Sequence, residues 1–252
     1  MAKVADILGV MDEIAPRELA EGWDNPGLLV GRADAEVNAA LLCVDATEQV
    51  IAEARELGAE LIIAHHPLMF RAIKQVRDDD PEGHVICEMI RGGLNMIAAH
   101  TNLDMAQGGV NDALAAALGL KDVSAPEPLI RLGCVGEAEF GELAECFADA
   151  LGARVLTYGG VKTRVRGVAL CSGAGGSEID AAARLGAQVF VTGEMKHSDI
   201  IRARQLGLCV ICAGHFETER VVLSPLANGL QTRLNELQYK VKVYVSEADP
   251  FA

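Results

Sequence analysis

The stretch EQVIAEARELGAELIIAHHP, residues 48–67, changes its hydrophobic period once, at Gly58. Up to Leu57 the apolar residues Val50, Ile51, Ala54 and Leu57 recur every three or four positions, which predicts a helix over Glu48–Leu57. Gly58 supplies the left-handed residue a helix C-terminus needs, and the unbroken apolar run Leu61–Ala64 then reads as a buried strand. With Ala39–Val44 read as a strand just before it, the segment is a βαβ unit, and a chain built from such units folds around a largely parallel or mixed sheet.

Working outward, Pro81–Arg91 is helix-like and Asn95–Ala99 strand-like, and Asn111–Leu118 is a short helix after a Gly-Gly turn. The second half repeats the alternation, with strands at Gly167–Cys171, Val189–Thr192 and Cys209–Ala213 and helices at Glu178–Leu185 and Ser198–Leu206. Glu56-Leu57-Gly58-Ala59-Glu60-Leu61 has a counterpart in Arg184-Leu185-Gly186-Ala187-Gln188-Val189, a sign of internal duplication. Pro126 and Pro128 read as a break between the halves, followed by a strand over Leu129–Val135 and a helix from about Gly141 to Leu151. Tyr239–Ser246 alternates like a half-exposed strand.

Half of the 252 residues are hydrophobic, enough for a substantial core. A net charge of −14 argues against non-specific nucleic-acid binding, which needs Lys and Arg to displace phosphate counterions. The seven Cys show no disulfide spacing; Cys209 and Cys212 sit in an apolar strand and read as structural. The first ten residues are too polar for a secretory signal, and no apolar run approaches the about 18 residues that cross a bilayer. The expectation is a cytoplasmic protein with reduced thiols.

Five of the six His lie just beyond predicted strands: His65, His66, His100, His197 and His215. Ligands of open α/β sheets bind at those strand ends. Pro67 turns the chain after His65-His66, and neighbouring residues at a strand end are expected to point to opposite sides, each imidazole toward a different ion. His215 and Glu219, at i and i+4 of a predicted helix, share a face. Asp104 adds a hard oxygen from a third strand end. Three imidazoles and two carboxylates suit two divalent ions about 3.5–4 Å apart. His100, Asn102, Glu194 and His197 fit outer positions that orient ligands or meet substrate. The loop Ser172–Ser177 is either a phosphate cradle at a helix start or a tight turn. Trp23-Asp24-Asn25-Pro26-Gly27 holds the one Trp; its polar pair either lines a cleft or belongs to an aromatic-anchored turn.

Six motifs in order, Gly22-Trp23-Asp24-Asn25, Ala64-His65-His66-Pro67-Leu68, His100-Thr101-Asn102-Leu103-Asp104, Ser172-Gly173-Ala174-Gly175, Thr192-Gly193-Glu194-Met195-Lys196-His197 and Gly214-His215-Phe216-Glu217-Thr218-Glu219, resemble the GTP cyclohydrolase I type 2 homologues, the Nif-three-like family. The resemblance covers essentially the whole chain. It implies two interlocked α/β lobes with mixed sheets and a metal site in the cleft at strand C-terminal ends, lobe one being about residues 1–124 plus 215–252 and lobe two about 125–214. It also implies a toroidal homohexamer and a dinuclear centre on His65, His66, Asp104, His215 and Glu219, with Glu219 bridging. Pro26 departs from the aliphatic residue common in the family, and the acidic tail is short.

The function expected is a metal-dependent hydrolase of a nucleotide or related heterocycle. Two divalent ions (Zn, Fe, Mn, Co or Ni) would activate water, and Glu194 or His100 would carry the proton. For GTP, attack falls on C8 of the ring and releases formate. The competing expectation is a metal-binding, metal-delivery or scaffold protein without turnover.

Overall fold

A computed structural model describes residues 2–251. A two-residue strand β1 (Ala2–Lys3) leads into α1 (Val4–Ile14); past a 3-10 turn at Arg17–Leu19 come β2 (Gly27–Val30), β3 (Glu36–Val37) and β4 (Ala39–Cys43). The expected alternation follows as α2 (Glu48–Leu57), β5 (Leu61–Ala64), α3 (Pro81–Arg91), β6 (Asn95–Ala98), α4 (Thr101–Met105) and α5 (Val110–Ala117). Next are β7 (Lys121–Glu127), β8 (Ile130–Glu139), α6 (Phe140–Leu151), β9 (Leu156–Tyr158) and β10 (Arg164–Leu170). After a 3-10 turn at Gly175–Glu178 the chain forms α7 (Ile179–Arg184), β11 (Val189–Thr192), α8 (His197–Gln205), β12 (Cys209–Cys212) and α9 (His215–Glu219). A 3-10 turn at Arg220–Val222 precedes α10 (Leu223–Glu236) and β13 (Lys242–Val245). The fold is mixed α/β. No helix among the described residues is long and apolar enough to cross a membrane.

The chain forms two compact units. One runs to Gln107 and resumes at Leu223. Its main sheet has the order β13-β4-β5-β6-β2, with only β2 antiparallel to its neighbour. Thr47 starts α2 by accepting the Val50 N–H, and Gly58 ends it at φ 64°. Val50, Ile51 and Ala54 of α2 and Met89 of α3 pack onto Leu41, Cys43, Ile62, Ala64 and Met96 of the sheet. α10 packs against α1 and against β4 and β13.

The other unit, Gly108–Val222, has the sheet order β7-β8-β10-β11-β12-β9. Alternate strand residues serve two cores. Val168, Leu170, Val189, Val191, Cys209 and Ile211 meet Phe140 and Phe147 of α6, while Ala169, Phe190, Val210 and Cys212 meet Ile179 and Ala182 of α7 and Ala203 of α8. Because strand side chains alternate, the Cys-x-x-Cys of β12 puts its two thiols in different cores, so it is structural. Burial, helped by the Glu194 carboxylate, pushes the Cys212 thiol up to about 11.

Two expectations need correction. Pro126 does not break the chain; it lies inside β7, an edge strand where a missing N–H interrupts no interior ladder. The strand expected at Leu129–Val135 runs on to Glu139 as the partner of β7 and β10.

The duplication is structural as well. β4-α2-β5-α3-β6 and β10-α7-β11-α8-β12 are each three parallel strands joined by helices. Gly58 and Gly186 both take positive φ with open space where a Cβ would stand, so backbone conformation alone calls for glycine there. At the next matched position the Glu60 carboxylate accepts the N–H groups of Asn38 and Ala39, and the Gln188 carbonyl accepts those of Arg166 and Gly167.

Candidate metal centre

Strand register decides where the donors stand. In the first unit Cys43 pairs with Ala64 and Ala64 with Ala98, so Asp45, His65, His66 and His100 all leave the sheet at one edge. In the second, Leu170 pairs with Val191 and Thr192 with Cys212, so Gly173, Glu194 and His215 leave at the corresponding edge.

In the first unit the ligand-capable nitrogens of His65, His66 and His100 lie within 4.8 Å of one another. His65 Nε2 stands 3.6 Å from Asp104 Oδ1, too long for a hydrogen bond and suited to two atoms sharing one ion. Asp104 sits in α4, one helical turn past β6, rather than directly at a strand end. The rings of His65 and His66 are 4.9 Å apart, not on opposite sides as expected. Their N–H groups both donate toward β4, to Cys43 and Val44 at 3.0 and 2.9 Å, which consecutive residues of a flat strand do not do. The chain has already begun to coil ahead of Pro67, and both imidazoles turn the same way.

Each imidazole is oriented by an oxygen on its Nδ1. His65 Nδ1 donates to the Ala99 carbonyl at 2.9 Å, His66 Nδ1 to Asp45 at 2.7 Å and His100 Nδ1 to Asp24 at 2.8 Å. These acceptors place the proton on Nδ1 and leave Nε2 as the nitrogen able to give a lone pair. Although burial pulls the Asp24 carboxyl upward, hydrogen bonds from His100 and Thr101 hold it well below the usual carboxylate range. Asp24 belongs to the polar pair expected either to line a cleft or to form a turn, whereas Asp45 is not among the expected site residues. Asp45 lies two positions beyond β4, so the strand-end rule that found the histidines also reaches it.

In the second unit His215 repeats the device. Its Nδ1 faces Glu194 at 3.2 Å and its Nε2 faces Glu219 Oε1 at 3.1 Å, the i, i+4 pair meeting on α9 as its spacing predicts. Glu219 is buried while Glu194 is exposed. Gly173, at φ +59°, lets the loop pass close to both donors: a Cβ there would overlap Glu219 Oε1 and stand 3.1 Å from His215 Nε2.

The other expected residues divide. Asn102 is buried and donates to the Ala15 carbonyl at 2.7 Å, tying α4 to the end of α1 instead of facing a ligand. His197 opens α8 and is exposed. The loop Ser172–Ser177 turns tightly, and the N–H groups of Ser172, Gly173 and Gly175 are taken by Asn111, Thr218 and Thr192.

The donor chemistry fits divalent ions. Imidazole Nε2 atoms backed by oxygen acceptors, with carboxylates beside them and no thiolate, suit Zn and its first-row neighbours. The chain carries His and Glu groups able to bind a metal.

Comparison with known proteins places the chain in a family. The chain is 34% identical over 261 aligned positions to the GTP cyclohydrolase 1 type 2 homolog of Clostridium perfringens, covering 99% of this chain and 98% of that one. It is 35% identical to the protein of the same name from Streptomyces coelicolor, over 87% of this chain and 82% of that one. The crystal structure of a Bacillus cereus protein related to NIF3 superposes with a TM-score of 0.94 at 25% identity, covering 100% and 99% of the two chains. With the Duf34/NIF3 (NGG1p interacting factor 3) family model matching residues 2–250, the chain belongs to that family.

Proposed function

We propose that the protein is a metal-dependent hydrolase acting on a nucleotide or related nitrogen heterocycle, with two divalent ions held by His65, His66, Asp104, His215 and Glu219. One observation carries the reading: the imidazoles of His65, His66 and His215 each have an oxygen acceptor on Nδ1 that directs Nε2 outward as a ligand. The names of the relatives support the nucleotide-related substrate class.

Divalent ions held by these residues would supply a water acidified toward neutral pH and a Lewis acid for the bond to be cleaved. The chain's own residues do the rest. Asp45, Glu194 and the Ala99 carbonyl hold the three imidazoles in the ligating tautomer. His100, fixed through Nδ1 by Asp24, receives a proton at Nε2, and Glu194 is the second group placed to pass one on. Glu219, buried on α9, would be one of the carboxylates that hold the ions. A ring-shaped hexamer, tested by light scattering, accompanies this reading.

The test is elemental analysis of protein purified without chelator, wild type beside His215→Ala, followed by nucleotide turnover assays with the metal found. Close to two ions per chain, clear loss in the variant and release of a hydrolysis product are expected. Full metal retention in His215→Ala, or no metal after reconstitution, overturns the site. Metal without turnover across the nucleotides transfers the reading to metal delivery.

A further inference from the structure

Trp23, the one tryptophan, is 58% exposed, and Phe70 in the loop after β5 is 48% exposed. Leaving two large aromatics in water forgoes burial energy that each would ordinarily contribute. The two rings pack edge to face with centroids 5.6 Å apart. Each also meets the His100 imidazole, Trp23 at 6.2 Å and Phe70 at 5.9 Å. His100 in turn lies 5.3 Å from His65 and 5.5 Å from His66. A continuous run of rings therefore leads from solvent to the metal-ligating histidines, all within one compact unit.

The exposed aromatics are held in place. Asp24, whose side chain is fully buried, accepts the N–H groups of Asn25 and Thr101 and the Thr101 hydroxyl as well as His100 Nδ1. Asn25 Nδ2 donates to the Met69 carbonyl at 2.8 Å, fastening the Trp23 turn to the segment that carries Phe70. A turn so firmly anchored, with its indole facing outward, is preorganised for a flat partner, because the cost of ordering the rings is met before binding.

We propose that Trp23 and Phe70 form a stacking platform for the planar nitrogen heterocycle of the substrate, placing the edge of that ring over His100 and toward the ions held by His65 and His66. This rests on the hydrolase reading and narrows it to substrates recognised through an aromatic ring face. Phosphate recognition contributes less here, since the charged groups bonded to His100 and His66 are the carboxylates of Asp24 and Asp45. Stacking on aromatic side chains tolerates different bases because every base has a π-face. The site thus favours a class of heterocycle over one hydrogen-bonding pattern.

The single tryptophan makes the test direct. Indole fluorescence of the wild-type protein is followed as guanosine, adenosine or ribose 5-phosphate is added. Binding to Trp23→Leu, Trp23→Phe and Phe70→Leu is measured by equilibrium dialysis, with metal content determined on each sample. Saturable quenching by the nucleosides and none by ribose 5-phosphate is expected. Trp23→Leu should weaken nucleoside binding about tenfold or more, with Trp23→Phe within about threefold of wild type. Unaltered nucleoside binding in Trp23→Leu, equal binding of ribose 5-phosphate, or no nucleoside binding overturns the proposal. So does a blue-shifted ligand-free emission that moves red on dilution, which would mean that a second copy of the chain covers the rings. When metal is retained, any of these outcomes removes only the platform; absence of metal removes the hydrolase reading, while the nucleoside titration of metal-free protein still decides the platform.

Discussion

The two units set donors on the same scaffold in different ways. Each uses three parallel strands whose ends are level, and each sends an imidazole out on an oxygen-backed Nδ1. In the first unit the His65 side chain is 1% exposed and Asp104 12%, within a nest of three imidazoles. In the second, one imidazole and one carboxylate project from a single helical turn, and His215 is 34% exposed with a more exposed Glu194 behind it. Buried donors are fixed by packing, so the donors of the first unit are the more preorganised. The donors on α9 depend on the backbone that crosses them.

That dependence gives the largest expected effect. In Gly173→Ala the new Cβ must displace the Glu219 carboxylate and crowd His215 Nε2, moving two donors at once. Loss of metal affinity should exceed the about 10–100-fold that removal of an outer partner costs. The left-handed backbone adds strain of about 1–2 kcal/mol. Gly186→Ala is the control: it shares the positive φ but meets nothing within 4 Å, so it should lose similar stability and keep its metal. Chelator competition together with thermal unfolding separates the two. Equal metal loss in both variants would mean that Gly173 acts only through backbone strain.

A smaller effect distinguishes the outer partners. Asp45 holds His66 at 2.7 Å and is 39% exposed, whereas Glu194 holds His215 at 3.2 Å and is 65% exposed. The shorter, drier bond orients its ring more firmly, so Asp45→Ala should weaken metal binding toward the upper end of about 10–100-fold and Glu194→Ala toward the lower end. Reversed order in chelator competition would make the donors on α9 the better organised ones.

Much of this contrast is written along the sequence, because strand-end donors follow from local patterns: an apolar run, then His-His-Pro, or a Gly followed by His and Glu four residues apart. The partners are harder to see. Asp24 reaches His100 across 76 positions, and its neighbours in sequence carry no period that points there. The side-by-side turn of His65 and His66 depends on hydrogen bonds to β4 that no local pattern encodes. The sequence reading leaves residues 223–236 unassigned, although Leu223, Leu226, Leu230 and Leu234 follow helical spacing along α10. Pro225 and Gly229 interrupt the pattern, and Pro is tolerated there because it stands in the first turn, where its missing N–H breaks no helical bond. The edge strand β7, whose residues are almost all exposed, offers no apolar signal at all.

The finest comparison lies at the duplicated position itself. Glu60 and Gln188 follow the same Leu-Gly-Ala and each accept two consecutive backbone N–H groups beside the neighbouring parallel strand, one with a carboxylate and one with an amide. Burial opposes ionisation of Glu60, but the N–H groups of Asn38 and Ala39 and the Asn38 amide outweigh it and hold the carboxyl below its ordinary value. A depressed carboxyl contributes its stability above the unfolded value, about 4.3, and loses it as pH falls through the folded value. Gln188 has no such titration. Glu60→Gln, which copies the second unit into the first, should therefore keep the two backbone bonds and flatten the acid side of the stability profile. Near neutral pH it should cost at most about 1 kcal/mol, the difference between a charged and a neutral acceptor. The measurement is the thermal midpoint followed from about pH 7 to about pH 3 in both proteins. An unchanged acid slope in Glu60→Gln would place the acid sensitivity elsewhere and leave the carboxylate and the amide as interchangeable ways of starting the same strand.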